Sequence, residues 1–351
     1  MPAAARRPTL TAVAERAGVS IATVSKVVNR HTDVAPATRE RVEAAVAELG
    51  YRTPGARHAE TRRTVEFMVD KLDSPYAMEV LRGVTLAAEE VDVDVTVSRV
   101  RRGGGDRPEP PSSWTRRLIS ARRTGAIVVT AQVTDTTYDS IARARLPVVV
   151  IDPLHLTTPE LVSVGSTNWT GGRTAGEHLL GLGHTRIGVV AGPEASISAV
   201  ARVDGFRSAC QAAGVTLDPA LVRHVAFDHD AALRAADDLL RRADPPTALL
   251  ASSDAQALGV LEAARRLGLV VPRDLSVVGY DDTYVAAWTN PPLTTVHQPL
   301  RDIGRVALRT VLAMDAGSMP DSHHIELATS LVVRDSTAPP AQPPAPREGP
   351  R

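Results

Sequence analysis

The sequence predicts an N-terminal all-α helix-turn-helix headpiece joined to an α/β core of two parallel-sheet lobes. First, residues 1–50 contain three short segments with apolar residues at helical spacing and no strand pattern. Second, from residue 64 onward short apolar runs alternate with amphipathic stretches, which is typical of parallel sheets covered by helices. Third, these about 270 residues are long for a single such sheet, so we expect two lobes.

The predicted domain boundaries follow changes in composition. Residues 1–50 form the helix-turn-helix domain, and residues 51–63, which are polar and basic without an apolar face, form a hinge. We expect the core over residues 64–337, with one lobe of approximately 64–165 and 294–330 and the other of 166–293. Residues 338–351 are Pro-rich and are predicted to be a disordered tail.

Capping residues delimit the headpiece helices. Thr9 precedes the first helix as a cap, and Gly18 permits the tight turn that ends it. Ser20 can cap a second helix over Ile21–Val28, and a third begins near Pro36, a residue suited to a first helical turn. Two helices joined by a turn that contains glycine are the helix-turn-helix pattern.

The core elements are predicted from the alternating runs. The strand candidates are Val65–Val69, Val93–Val97, Ala126–Val129, Val148–Ile151, Ile187–Val190, Ala248–Ala251 and Ser276–Gly279. The helical candidates are Tyr76–Glu90, Thr170–Leu182, Val203–Ala213, Ala231–Arg242 and Gln256–Leu267. The stretch RRGGGDRPEPPSS, residues 101–113, is expected to be a flexible loop.

The charge is distributed unevenly. The chain has 40 Lys and Arg against 40 Asp and Glu, so its formal net charge is zero. Residues 1–63 hold 11 basic and 6 acidic residues, a net charge of +5, which leaves −5 for the remainder. Such asymmetry indicates an N-terminal segment that binds nucleic acid.

Several classes of protein are disfavoured. The single cysteine, Cys210, excludes an internal disulfide, and no apolar run is long enough for a membrane span or signal peptide, so we expect a cytoplasmic protein without a membrane partner. The chain has no nucleophile elbow, zinc-protease motif or phosphate-binding loop, and His323–His324 has no ligand partner at a metal spacing. We therefore expect no enzyme, no cofactor and no metal.

The second headpiece helix presents short polar side chains that suit DNA recognition. Hydroxyls and Lys26 can bond phosphates or base edges, while Ile21 and Ala22 can pack on thymine methyls. A small helical bundle without a role in nucleic-acid binding fits the same pattern and stays an alternative. The candidate DNA-binding residues are Thr9, Ser20, Ile21, Ala22, Thr23, Ser25, Lys26 and Asn29 of the headpiece and Arg57 of the hinge.

Polar residues at the carboxyl ends of the predicted strands form the candidate ligand site, because open parallel sheets bind ligands there. Carboxylates that accept from paired hydroxyls, an arginine that donates, and a few aromatic faces suit a polyhydroxylated ligand. Each aspartate alone is more often a helix cap or turn former. The candidates are Asp70, Tyr76, Asp152, Arg202, Phe227, Ser253, Asp254, Asp281 and Trp288.

The headpiece resembles that of the LacI/GalR family of bacterial transcription repressors. The resemblance lies in TLTAVAERAGVSIATVSKVVN followed by VAPATRERVEAAVAELGYR. It implies that Ile21, Ala22 and Lys26 read operator bases in the major groove, with Thr23, Ser25 and Asn29 supporting phosphate contacts. Lys26 stands where many members have arginine, which would offer a bidentate fork to guanine.

Two departures from the family pattern concern the third helix and the hinge. Ala35 replaces the usual serine cap, and Glu60 falls near the leucine that family members insert into the minor groove. The proline of the pattern comes one residue late, at Pro54. We expect either a realigned hinge or a different operator contact, in which Arg57, Arg62 and Arg63 hold phosphates or enter a narrow minor groove.

The core resembles the family's periplasmic-binding-protein-like effector domain, in stretches such as VSVGSTNWTGGRTAGEHLLGLGHTRIGVVAGP and DLSVVGYDDTYVAAWTNPPLTTVHQPL. The resemblance implies that Asp152, Arg202 and Asp281 hold effector hydroxyls and that Phe227 is an aromatic of a sugar pocket. Ser253 replaces an asparagine found in many sugar-sensing members. We therefore expect a repressor that binds a pseudo-palindromic operator as a homodimer under control of a sugar or related small effector. A solute-binding protein of a sugar transporter is the main alternative.

Overall fold

The chain forms two compact units, Met1–Arg62 and Arg63–Arg351. The structure is a computed structural model that describes residues 9–28, 34–49, 63–100, 111–130, 135–154 and 158–341. Most of the predicted hinge lies outside the described residues, and so do Asn29, Arg57 and Glu60.

The first unit contains the three predicted helices, α1 (Leu10–Ala17), α2 (Ile21–Val28) and α3 (Pro36–Leu49). The Thr9 hydroxyl accepts from the Ala12 amide at 3.2 Å, and Gly18 adopts a φ of 65° where α1 ends. Ser20 Oγ accepts from the Thr23 amide at 3.2 Å, so it caps α2 as predicted. A small apolar core joins the helices through Val13, Ala14, Ala17, Val24, Val27, Val42 and Ala45.

The first sheet of the core has six parallel strands in the order β11-β5-β4-β3-β1-β2. These strands are β1 (Thr64–Val69), β2 (Asp94–Arg99), β3 (Gly125–Val129), β4 (Val148–Ile151), β5 (Ser163–Ser166) and β11 (His324–Leu327). Helices α4 (Pro75–Glu90) and α11 (Leu300–Asp315) cover one face, and α5 (Pro111–Ser120) and α6 (Asp135–Ala144) cover the other.

The second sheet follows the same plan, in the order β12-β10-β9-β8-β6-β7. Its strands are β6 (Ile187–Ala191), β7 (Val222–His224), β8 (Ala248–Ala251), β9 (Ser276–Asp281), β10 (Thr294–His297) and β12 (Ser330–Val332). All of its pairings are parallel except that of β12, which runs antiparallel to β10. Helices α7 (Asn168–Gly181) and α8 (Ile197–Ala212) cover one face, and α9 (His229–Leu240) and α10 (Asp254–Arg266) cover the other.

The lobe boundaries differ from the prediction. Residues 294–297 are predicted to belong to the first lobe, but they form β10, which pairs with β9 in the second sheet. The chain then returns to the first sheet for α11 and β11 and crosses again before β12. The sheets are therefore linked by three crossings, between β5 and α7, between β10 and α11, and between β11 and β12. Thr167 and Thr329, on two of them, are joined by a hydroxyl hydrogen bond of 3.0 Å.

Two segments expected to be irregular are partly ordered. Residues 111–113 of the predicted loop begin α5, while 101–110 lie outside the described residues. At the predicted tail, residues 338–341 are described, and the Ala338 carbonyl accepts from Ser276 Oγ at 2.9 Å. The same carbonyl contacts His184 Nε2 at 2.9 Å, and burial lowers the pKa of this imidazole. The start of the tail is thus fixed to the second sheet.

Helices α7 and α8 approach closely because glycine faces backbone at their crossing. A Cβ on Gly172 would lie 2.0 Å from the Arg202 carbonyl oxygen, and one on Gly205 would lie 1.9 Å from that of Trp169. Neither distance leaves room for a side chain. The two glycines therefore set the separation of the helices that carry Asn168 and Arg202.

Candidate DNA-binding face and effector site

The outward face of α2 carries the predicted base-reading residues. Ile21 is 48% exposed, Ala22 and Lys26 are also exposed, and Val24 and Val27 on the opposite side are buried in the headpiece core. Thr23 and Ser25 are half-buried. An apolar residue, a small residue and a cation on one exposed helical face can contact a thymine methyl, a close backbone and an acceptor of a base edge.

The centre of the candidate effector site is a buried cluster of two carboxylates and one guanidinium. Asp152 follows β4 of the first sheet, Asp281 ends β9 of the second, and Arg202 reaches between the sheets from α8. Their exposures are 6%, 3% and 3%. Arg202 Nη1 lies 3.7 Å from Asp281 Oδ1. Residues from both lobes therefore meet where the strands end, as predicted.

Arg202 is held in one orientation by neutral groups. Its Nε donates to Asn168 Oδ1 at 2.7 Å, and its Nη1 donates to the Ser252 carbonyl at 2.6 Å. The guanidinium carbon lies 3.9 Å from the centre of the Tyr280 ring and 6.0 Å from that of Phe227. Cation–π contacts of this kind leave the remaining N–H groups directed at acceptors in the plane of the guanidinium.

The Asp152 carboxylate interacts with Tyr76. The Tyr76 hydroxyl donates to Asp152 Oδ2, and burial next to this carboxylate raises the pKa of Tyr76 well above its usual value. Burial also raises the pKa of Asp152, while Arg202 and the hydrogen bonds from Tyr76 and Asn168 oppose the shift. Tyr76 therefore remains a donor across the physiological pH range.

Asp281 has a comparable set of neighbours. Gln298 Nε2 donates to Asp281 Oδ1 at 2.7 Å, and Ser166 Oγ donates to Gln298 Oε1 at 2.5 Å. Burial raises the pKa of Asp281 well above its usual value, and Arg202 opposes this shift. The backbone of Asp281 has a φ of 113°, a strained value for a residue with a side chain.

Three polar residues that surround this cluster are not among the residues predicted from the sequence. They are Ser166, Asn168 and Gln298. Ser166 ends β5, and Gln298 follows β10, so both lie at strand ends like the predicted aspartates. Neither strand was predicted from the sequence. A search for polar residues at the ends of predicted strands therefore finds the aspartates but not Ser166 and Gln298. Asn168 begins α7 on a crossing between the sheets.

Asp254 requires correction as an effector-binding residue. Its side chain is fully buried and accepts from the Thr283 amide at 2.7 Å, the Thr283 hydroxyl at 2.9 Å and the Thr295 hydroxyl at 2.7 Å. Burial raises the pKa of Asp254 to about 7 against the effect of these donors. Asp254 therefore anchors the chain after β9 to β10 and offers no free oxygen to a ligand.

The remaining predicted site residues have separate surroundings. Ser253 caps α10, with its Oγ accepting from the Gln256 amide at 3.1 Å. Trp288 is 77% exposed and packs on Tyr284 with ring centres 5.0 Å apart, so it is not part of the buried cluster. Asp70 follows β1 and is half-buried, and its carbonyl accepts from Arg99 Nε at 3.0 Å.

A further ion pair links the lobes outside this cluster. Lys71 Nζ, after β1, lies 3.6 Å from Asp228 Oδ2 at the start of α9, and both side chains are partly exposed. Within the described ranges no group of three His, Cys, Asp or Glu side chains could hold a metal ion, and no helix there is long and apolar enough to cross a bilayer.

Comparison with known proteins finds a family match in each of the two units. The family model described as bacterial regulatory proteins, lacI family, matches residues 9–54, and a periplasmic binding protein-like domain matches residues 176–337. The HTH-type transcriptional regulator CelR of Thermobifida fusca is 35% identical over 340 residues, which cover 94% of this chain and 98% of that protein. The chain belongs to the LacI family.

Other LacI-family proteins resemble it over nearly the whole chain. The HTH-type transcriptional repressor PurR of Vibrio vulnificus (strain CMCP6) is 31% identical over 93% of this chain and 98% of its own length. A CelR–cellobiose complex superposes with a TM-score of 0.70 at 33% identity, over 94% of this chain and 100% of that one. A Lac repressor dimer bound to operator and the anti-inducer ONPF gives 0.71 at 30%, over 95% and 100%. These relatives are transcriptional regulators and not enzymes.

Proposed function

We propose that this LacI-family protein is a repressor that binds a pseudo-palindromic operator as a homodimer and responds to a sugar or a related polyhydroxylated effector. The observation that carries the effector part is the buried cluster of Asp152, Arg202 and Asp281 between the two sheets. Removing such charges from water is costly, and a well-packed apolar contact of the same size is often at least as stable. A ligand-binding role accounts for their presence.

The chemistry of the cluster favours hydroxyl groups. Each carboxylate can accept from a pair of neighbouring hydroxyls, and Arg202 can donate to a ring or hydroxyl oxygen. Phe227 beside Arg202 offers an apolar face of the kind that packs against a sugar ring. The solved CelR–cellobiose complex, a structure of a similar protein, supports this class of ligand.

The DNA part of the proposal rests on the exposed face of α2 that carries Ile21, Ala22 and Lys26. A dimer presents two such helices to a duplex, so each reads one half-site and the operator repeats with inverted symmetry. The Lac repressor, which this chain resembles, is solved as a dimer on its operator. An effector that prefers one arrangement of the two lobes shifts the population of DNA-competent molecules, and ~1–3 kcal/mol of coupling suffices.

The proposal is tested by selecting DNA from a random pool with the full-length protein and measuring affinity for the selected duplex by fluorescence anisotropy. A panel of mono- and oligosaccharides, with nucleobases for comparison, is then added. We expect one sugar class to change DNA affinity in wild type and not in Asp152→Asn, since the amide cannot replace a carboxylate that accepts at both oxygens. The control is Asp237→Asn, a half-buried residue of α9 that pairs with Arg241 away from the cluster.

Selection of no DNA sequence would contradict the DNA part of the proposal. If only a nucleobase changed the DNA affinity, the effector would belong to a class other than sugars. A normal sugar response in Asp152→Asn would show that the pocket lies elsewhere.

Substitution of Ala22 and Lys26 should alter sequence preference without altering effector affinity. Both side chains are exposed on α2 and belong to the separate N-terminal unit. Replacing Lys26 by alanine should cost about 1–3 kcal/mol against the preferred base if it contacts a base edge. Repeating the DNA selection with Ala22→Thr and Lys26→Ala measures the first effect, and calorimetry with the effector measures the second. Loss of effector binding in either variant would contradict the separation of the two activities.

A further inference from the structure

Arginines in both lobes pair with acidic side chains, as Arg123 does with Glu66 in the first lobe and Arg207 does with Asp204 in the second. At the edge where the strands of the first sheet begin, four exposed arginines have no ion pair or hydrogen bond from their side chains within the described part of the chain. We call these four, Arg63, Arg122, Arg143 and Arg145, the basic edge.

The basic edge spans three neighbouring strands. Arg63 precedes β1, Arg122 lies three residues before β3, and Arg145 lies three residues before β4. The starts of these strands are joined by hydrogen bonds of 2.9 Å from Thr124 N to Thr64 O and from Ala126 N to Pro147 O. Strands in a sheet are about 4.8 Å apart, so the residues that precede them form one continuous row. Acidic residues occur on the flanking strands, where Asp94 begins β2 and Glu160 precedes β5.

Two of these arginines occupy positions that usually require glycine. After α1, α7, α8, α10 and α11, the residue with positive φ that follows the helix is a glycine. After α4, α5 and α6 it is Asp92, Arg122 and Arg145, with φ of 53°, 52° and 51°. Arginine is strained in this conformation, since its Cβ approaches the backbone. Arginine is retained at both ends despite this strain and has no ion pair within the described residues to offset it, which supports a role for an interaction partner outside the core.

The chain connection identifies that partner. The DNA-binding unit joins the core at Arg63, within the basic edge, through the 13 residues 50–62. Thirteen residues span at most about 45 Å even when fully extended, so the linker sets an upper limit on the distance between the headpiece and this edge. Guanidinium groups pair with phosphate oxygens more readily than with any other group along such a duplex.

We infer that the basic edge is a second DNA-contacting surface, at which core arginines bind backbone phosphates of the duplex that flanks the sequence read by α2. This inference rests on the proposed function, because the headpiece must first bring DNA to the core. Phosphate contacts carry no sequence information but add affinity and salt dependence. The core, although acidic as a whole, would then contribute directly to operator binding.

The test compares full-length wild type with the double variant Arg122→Gly, Arg145→Gly. Glycine suits both backbone positions, so this variant is expected to melt at the same temperature as wild type or higher. Two duplexes are used, the selected site alone and the same site extended by about 10 bp, one helical turn, at each end. Affinity is measured over a series of KCl concentrations.

On the extended duplex, the slope of the logarithm of affinity against the logarithm of salt concentration should become less steep by about 0.9 for each phosphate that the protein no longer neutralises. We expect this slope to fall by about 2 per protomer in the glycine variant there and to stay unchanged on the short duplex. Arg122→Lys, Arg145→Lys keeps the charge and should retain the slope. Arg234→Ala, Arg242→Ala removes two exposed charges from the second lobe and should also leave it unchanged.

An unchanged slope in the glycine variant overturns the inference, and so does an equal decrease in the Arg234 and Arg242 control, which would indicate a net-charge effect. Equal decreases on both duplexes overturn it as well, because the flanks would then be irrelevant. Failure of wild type to select any DNA is a different result. It refutes the proposed function, and the inference with it.

Discussion

Replacing Arg202 by alanine is expected to abolish the effector response and to lower the free energy of unfolding by about 3–5 kcal/mol. The side chain is 3% exposed, and its removal leaves Asp152 and Asp281 buried without their cation. It also leaves Asn168 Oδ1 and the Ser252 carbonyl without the donor that they have now. Urea unfolding gives the stability change, and DNA anisotropy with effector gives the response.

The destabilisation should depend on pH with a defined sign. Burial already raises the pKa values of Asp152 and Asp281, and without Arg202 they rise further. A carboxyl whose pKa is higher in the folded than in the unfolded protein favours folding at low pH and loses this effect as the pH rises. The destabilisation should therefore be smaller at pH 5 than at pH 8.

Arg207→Ala is the matched control for this prediction. Arg207 lies on the same helix, its side chain is 46% exposed, and it pairs with Asp204 at the surface. Such pairs contribute about 0–1 kcal/mol, so this variant should respond to effector as wild type does. If the two arginine variants were destabilised equally, the buried cluster would not have the electrostatic role described for it.

Replacing Gly205 by alanine is the second change with a large expected effect. Its new Cβ would lie 1.9 Å from the Trp169 carbonyl oxygen and 2.9 Å from the Arg173 amide, both of which are backbone atoms of α7. The helices must separate, which costs about 1–3 kcal/mol or more. Asn168 on α7 would then move away from Arg202 on α8, so effector affinity should fall with stability. Thermal unfolding and calorimetry measure the two effects.

Gly181→Ala distinguishes this backbone clash from a general effect of glycine substitution. Gly181 lies at the end of the same helix α7, and a Cβ there would meet nothing within 4 Å. Alanine has the higher helix propensity, so this variant should be as stable as wild type or up to about 1 kcal/mol more stable. Wild-type stability in Gly205→Ala would show that the helix contact is more compliant than its geometry suggests.

The central strands of both sheets could be predicted because they are buried on both faces and consist of apolar residues. The strands absent from the prediction have different compositions for physical reasons. β5 has the sequence SVGS, since its serine ends at the effector site and its glycine lies against Asp152. β7 and β12 have three residues each and lie at sheet edges. Helix α11 does show apolar residues at helical spacing, so its sequence carries a usable signal.

The sequence predicts that the candidate site lies at the ends of the strands. It does not predict which side chains surround each carboxylate there. Asp152, Asp254 and Asp281 look alike in the sequence, each at the end of an apolar run. Asp254 differs because Thr283 and Thr295, distant along the chain, occupy its oxygens. Such contacts between residues distant along the chain decide which carboxylates can still bind a ligand. The position of a residue at a strand end gives no information about them.

The candidate effector site lies next to the crossings that connect the two sheets. Asn168 and Gln298 lie at two crossings, so the site is at the pivot of any rotation of one lobe against the other. The first sheet extends about 20 Å from this pivot, given six residues per strand. A rotation of about 10° would displace the far end by about 3–4 Å over that lever arm. Arg63, through which the headpiece is attached, is at that far end, so such a rotation would displace the point where the DNA-binding unit is tethered more than it displaces the candidate effector site.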